Sequence, residues 1–237
     1  MNRLYALLLA MLCFASAAYA GDMEDDPVLA TLIVDKLEMR SADGANPVIW
    51  DAEGWIGKDL DKFWFKTEGE YRNEKIEKAE FQGLYSRAIS SYWDFQVGAR
   101  RDTYQSPGTP DRNWLAVGFK GLAPYFFDVD TALFVGEDGR TSLRLVAEYE
   151  ILLTQQLILV PELEMDFYGK DDPATATGSG LSETELGIRL RYEFTREFAP
   201  YIGVNWSKLY GKTADYAKEE GENYDDVQFV VGLRFWF

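Results

Sequence analysis

The chain has 237 residues, with 40 acids against 24 bases, no histidine and a single cysteine. A net charge of −16 argues against a nucleic-acid partner, which needs clustered Lys and Arg. An aromatic content of 15% is too high for an acidic disordered protein, and the lack of histidine removes the usual base of hydrolases and the commonest metal ligand.

In chain order, residues 1–20 form a separate unit. Arg3 gives a positive start, Leu4 to Phe14 is apolar, and Ala18-Tyr19-Ala20 offers the small residues of a signal-peptidase site. The sequence therefore predicts export and cleavage before Gly21. Cys13 lies inside this segment, so the mature chain is expected to carry no thiol for disulfides, metal sites or catalysis. Removing one base and no acid takes the charge to −17. Residues 21–29 open with Gly-Asp-Met-Glu-Asp-Asp-Pro and read as a short acidic periplasmic lead-in.

Residues 30–237 are expected to form one domain. Alternating segments of about ten residues, the length of a tilted membrane strand, occur at 30–40, 48–56, 62–72, 76–86, 92–104, 113–122, 125–136, 140–153, 156–169, 182–194, 199–210 and 226–237. Period two is plain in many of them. Phe63, Phe65, Thr67, Gly69 and Tyr71 oppose Trp64, Lys66, Glu68, Glu70 and Arg72, and Leu143, Leu145 and Ala147 oppose Arg144 and Glu148. Two places depart from the pattern: Leu32-Ile33-Val34 breaks alternation, and Pro161 within a strand calls for a bulge or a shifted register.

A soluble β-sandwich shares this alternation, but two features favour a membrane barrel. Short connections (LTQQ, TREF, LAPY) alternate with long polar ones at 105–112, 169–181 and 211–225, and aromatics crowd the strand ends. The expectation is all-β: a single antiparallel transmembrane β-barrel of about 12 strands behind a cleaved signal peptide. Its last strand ends in Phe235, Trp236 and Phe237. Such a terminus resembles the closing strand of bacterial outer-membrane barrels, which the barrel assembly machinery reads. Outer-membrane lipid is the expected surroundings.

Chemistry is then sought in the lumen. Asp128, Asp130, Glu148, Glu162, Glu164 and Asp166 would line one wall, with Arg100, Arg144, Arg189, Arg191 and Arg234 as counter-charges. Two readings stay open for this wall. It is a salt-bridge ladder filling a small barrel, or an acidic surface that binds or passes cations. Carboxylates two apart arise from the pleat alone, so no enzymatic activity is expected. The sulfur ligands of the mature chain are Met23, Met39 and Met165. Met165 falls on the lipid face, and Met23 and Met39 are sixteen residues apart, too sparse for a soft-metal site. The loop 170–180 lacks the ligand spacing of a calcium or phosphate loop, and Glu137-Asp138-Gly139-Arg140 reads as a tight hairpin turn.

Several blocks in order, Trp50-Asp51-Ala52-Glu53-Gly54-Trp55, Leu84-Tyr85-Ser86-Arg87, Gly121-Leu122-Ala123-Pro124-Tyr125, Glu197-Phe198-Ala199-Pro200-Tyr201 and Gly232-Leu233-Arg234-Phe235-Trp236-Phe237, resemble the copper resistance protein B family of Gram-negative outer membranes. The resemblance spans about residues 30–237. It implies an outer-membrane barrel of copper resistance and copper homeostasis, with copper as the bound ion and a periplasmic multicopper oxidase as partner. Many members carry a Met- and His-rich segment before the barrel; here Met23 is its one sulfur ligand. A general small-solute porin, or a structural barrel without metal specificity, is the alternative.

Overall fold

A computed structural model describes residues 26–42, 45–105 and 108–237. The expected signal peptide, and Met23, lie outside the described residues. The strands are β1 (Leu29–Arg40), β2 (Val48–Gly57), β3 (Asp61–Arg72), β4 (Lys75–Ser90), β5 (Trp93–Tyr104), β6 (Arg112–Ala123), β7 (Phe127–Gly136), β8 (Thr141–Glu148), β9 (Ile151–Leu152), β10 (Leu157–Tyr168), β11 (Gly180–Tyr192), β12 (Phe198–Leu209) and β13 (Asp225–Trp236). An α-helix, α1 (Gly211–Glu220), follows β12.

The strands pair antiparallel in chain order, and β13 returns to pair with β1. The two residues of β9 continue the line of β8 against β10. The result is a closed twelve-stave barrel. Closure matters because lipid offers no water to an unpaired strand edge. At the seam, the Phe237 amide donates to the Leu32 carbonyl at 2.8 Å and the Leu32 amide donates to the Phe237 carbonyl at 3.0 Å.

The side-chain distribution is that of a soluble protein turned inside out. On β13, Phe229 and Val231 are 71% and 63% exposed, while Val230 between them is 1% exposed. Phe63, Leu115, Leu133, Ile188 and Ile202 likewise point out, and Glu38, Glu80, Arg100, Asp102 and Arg189 are buried. Leaving one large apolar side chain in water would cost about 1.5–3 kcal/mol, so a full belt of them requires hydrocarbon as the outer solvent.

Three irregularities have local causes. Register shifts at Asp35 on both sides of β1, so Ile33 faces inward before the bulge and Lys36, Glu38 and Arg40 face inward after it. This accounts for the broken alternation near Leu32. Pro161 needs neither a bulge nor a shifted register. It stays in register with Ile188, and on its other side it faces the gap between β8 and β9. There its carbonyl accepts the Tyr149 amide at 3.1 Å and its missing N–H removes the return bond, so the ladder is interrupted without a change of register. The segment 211–225, expected as a polar loop, contains α1.

Short turns gather at one end and long loops at the other. Asn73-Glu74 and Asp138-Gly139 adopt positive φ in tight hairpins of the long-loop end, the Asp-Gly pair as its sequence requires. β4 runs to Ser90, four residues past the expected segment.

Candidate functional site

All six expected lumenal carboxylates point inward, because β7, β8 and β10 are neighbouring staves in regular register: Asp128 opposes Glu148, and Glu148 opposes Glu162. The lumen uses most of them in ion pairs. Glu162 binds Lys36 and, at 2.9 Å, Nη1 of Arg189. Asp130 takes Lys66 at 2.5 Å. Glu164 and Asp166 both meet Nε of Arg144 at 3.2 Å, and the same guanidinium reaches Glu68 at 2.8 Å and Glu80 at 3.3 Å. Asp128 and Glu148 alone of the six have no hydrogen bond or ion pair among the described residues.

Two further knots lie deeper. Glu38, 1% exposed, accepts from Arg40 Nε at 2.9 Å, from Arg189 Nε at 2.9 Å and Nη2 at 3.0 Å, and from the Tyr201 hydroxyl at 3.0 Å. Arg100 grips Asp102 at 2.7 and 3.1 Å and Glu80 at 2.7 Å, with its guanidinium 4.5 Å from the Phe134 ring centroid. Beside it an apolar cluster of Trp64, Leu84, Trp114, Ala116 and Phe134 fills the lumen. Trp114 donates to Asp102 at 2.9 Å. At the long-loop end Arg112 clamps Asp172 at 2.8 and 3.0 Å, and Arg140 meets it at 3.0 Å. Burial would raise the Asp172 carboxyl, but the Arg112 hydrogen bond and the charges of Arg112 and Arg140 outweigh it and hold that carboxyl below its ordinary range.

These plugs leave a cavity of about 710 Å³ towards the short-turn end, with Phe126, Tyr149 and Leu152 among its lining. Eleven carboxylates and five bases face it. Asp128, Asp130, Glu148, Glu162 and Glu164 are on its wall, whereas Asp166 sits above it. Lysines 36, 66 and 120 also face it. Lys120 binds Glu53 through both carboxylate oxygens at 2.6 Å.

The donors for a metal are hard and dispersed. Among the described residues no three acids converge as a metal cage would require. Met39 is half exposed on the outside and receives the Asn46 amide at 3.9 Å, and Met165 sits on the outer face of β10, opposite the inward Glu164 and Asp166. Among the described residues, soft Cu(I) has no thioether, thiolate or imidazole set to bind in this lumen.

Against that geometry, a family model described as copper resistance protein B precursor matches residues 28–237. The chain belongs to the copper resistance protein B family. It is 47% identical over 215 residues to a copper resistance protein B homolog of Pseudomonas syringae pv. tomato and 46% identical over 215 residues to copper resistance protein B of Escherichia coli. Each alignment covers 91% of this chain and 72% of the relative. Among solved structures, the NanC porin superposes with a TM-score of 0.57 at 13% identity, and the KdgM porin with 0.54 at 11%. Each covers 87% of this chain and 99% of the porin. At such identities the likeness is one of fold. Family and fold together place the chain in the cell outer membrane.

The sequence missed part of this interior. The arginines were legible as counter-charges by alternation, but Lys36 and Glu38 were not, because the Asp35 bulge reverses which residues of β1 face in. The Lys120–Glu53 and Lys66–Asp130 pairs join staves distant in the chain, and only closure brings them together. The aromatic knot does have a signal in the sequence: Trp64, Trp114 and Phe134 alternate in phase with the charged Lys66, Lys120 and Asp130 of their own strands.

Proposed function

We propose that this barrel serves copper tolerance by drawing cations into an acidic chamber at the short-turn end of its lumen. The observation that carries the reading is the excess of eleven carboxylates over five bases around one cavity, with Asp128 and Glu148 unpaired on its wall. A low-dielectric tube focuses such a charge excess on its contents. Of the two copper ions, hydrated Cu(II) is the one that oxygen donors accept, while soft ligands for Cu(I) would come from a periplasmic multicopper oxidase. The role is binding rather than catalysis.

A titration of the refolded barrel with Cu(II), with zinc as control, tests this. The expected result is saturable, copper-preferring binding that weakens about tenfold in Asp128→Asn/Glu148→Gln, as loss of two charged ligands implies. These two positions are chosen because neither carboxylate is tied to a base. Equal zinc and copper affinity, unaffected by the double substitution, would move the copper chemistry off this chain.

A further inference from the structure

The geometry points to a second use of this cavity: a binding site for a linear organic polycation, the chemical class of the polyamines. The inference is independent of the copper reading and begins where that reading fits least well. A cavity of about 710 Å³ has the size of pockets that hold organic ligands, roughly 300–1,000 Å³. Its acids are spread over several staves without three converging on a point, a pattern that matches charges spaced along a flexible chain.

Neutral acceptors on the same wall point the same way. Gln96 is 2% exposed and lines the cavity. Its amide nitrogen donates to Ser86 at a long 3.5 Å, and its carbonyl oxygen accepts no hydrogen bond among the described residues. Gln82 is similar. It is buried and lines the cavity, its nitrogen donates to Glu80 at 2.6 Å, and its oxygen is likewise unused. Each oxygen is an acceptor on the cavity wall, open to whatever donor the cavity contains. Together with unpaired Asp128 and Glu148, these groups form a surplus of acceptors that an ammonium chain, with several N–H donors and no acceptor, would satisfy.

The rim supplies the apolar half of such a site. Phe126 and Tyr149 face the cavity mouth with Leu122 and Leu152, giving ring faces for ammonium groups and apolar surface for methylenes. Phe126 stands there at a cost. Tyr125 and Phe126 are held at φ of 67° and 66°, a left-handed conformation that bulky residues avoid and that accumulates at ligand clamps.

The test is calorimetric titration of the refolded full barrel with spermidine, against magnesium chloride at matched ionic strength. Saturable spermidine binding that magnesium does not reproduce is the expected result. Gln96→Leu leaves the cavity charge unchanged and should weaken spermidine about tenfold while sparing Cu(II) binding. Phe126→Ser, at an exposed rim position that supports no core contact, should also weaken it, and heat-modifiable gel mobility confirms that each variant is folded. Equal responses to magnesium and spermidine, or full spermidine affinity in both folded variants, would overturn the inference and leave only a diffuse acidic field. Copper failing to bind while spermidine binds would sink the copper reading alone, and the converse would sink this one alone.

Discussion

At the scale of the residue, Glu38 is the most heavily committed group in the lumen: four donated hydrogen bonds from two arginines and a tyrosine end on one carboxylate that water does not reach. Removing one member of a buried charged set leaves the others uncompensated, at about 3–5 kcal/mol. Glu38→Leu should therefore lower the barrel's unfolding free energy by that amount in urea titrations in lipid vesicles. Tyr201→Phe, which deletes one neutral donor, should cost only about 1 kcal/mol. Equal losses in the two variants would mean that the charges contribute nothing beyond one hydrogen bond each. None of this could be read from the order of residues on β1. Strict alternation from Ile33 puts Leu37 and Met39 inside, and a single extra residue at Asp35 puts Glu38 and Arg40 there instead. By contrast Arg100, Arg144 and Arg189 sit on regularly alternating strands, and their inward direction was plain.

At the scale of the element, strand positions were legible because period two persists through nearly every stave, whereas α1 was not. Its ten residues begin with a glycine, carry no side-chain cap at the N-terminus, and are too short to form a helix alone in water. Its stability comes from contact. Thr213 accepts the Gly178 amide at 2.8 Å and shares a hydrogen bond with Ser182 at 2.8 Å, and Lys212 binds Asp171. The helix and the loop 169–179 thus hold each other over the long-loop end. Thr213→Val keeps the shape and strands a buried N–H, at about 1–3 kcal/mol. Hydrogen exchange should accelerate at least about tenfold in both segments while β1 to β8 stay protected. Acid should do something similar. The Lys212 hydrogen bond, with a further one from Ser179, depresses Asp171 to about 2 from an ordinary 3.8. A depressed folded value means the contact is fully present above the unfolded value and is lost as pH falls through the folded one, so the window lies from about pH 4 down to 2. Pepsin cleavage within 169–179 should rise across that window and be independent of pH in Asp171→Asn. A flat wild-type profile would show that the ion pair does not hold the loop.

At the scale of the whole molecule, the chain shares its barrel with porins and differs in what fills the tube. The NanC and KdgM likeness is one of staves and closure. Here the lumen beyond the acidic cavity is occupied by the Arg100 and Glu38 knots and the Trp64–Trp114–Phe134 cluster. Arg144 is the bracket between cavity and plug, since it lines the cavity and ties β3, β4 and β10 through Glu68, Glu80, Glu164 and Asp166. The wild-type barrel should therefore conduct poorly in planar bilayers. Arg144→Ala removes the one base that, among the described residues, all four acids share, and leaves room for water among carboxylates that repel one another. A water-filled, acid-lined constriction passes cations, so single-channel conductance should rise at least about twofold with a shift towards cation selectivity. Arg144→Met, which removes the charge but keeps most of the volume, separates the two contributions. A rise in both variants assigns the seal to electrostatics, and a rise in the alanine variant alone assigns it to packing. Conductance unchanged in both would place the seal at the long-loop end, where Arg112 and Arg140 clamp Asp172, and Asp172→Asn would then be the substitution that opens the barrel.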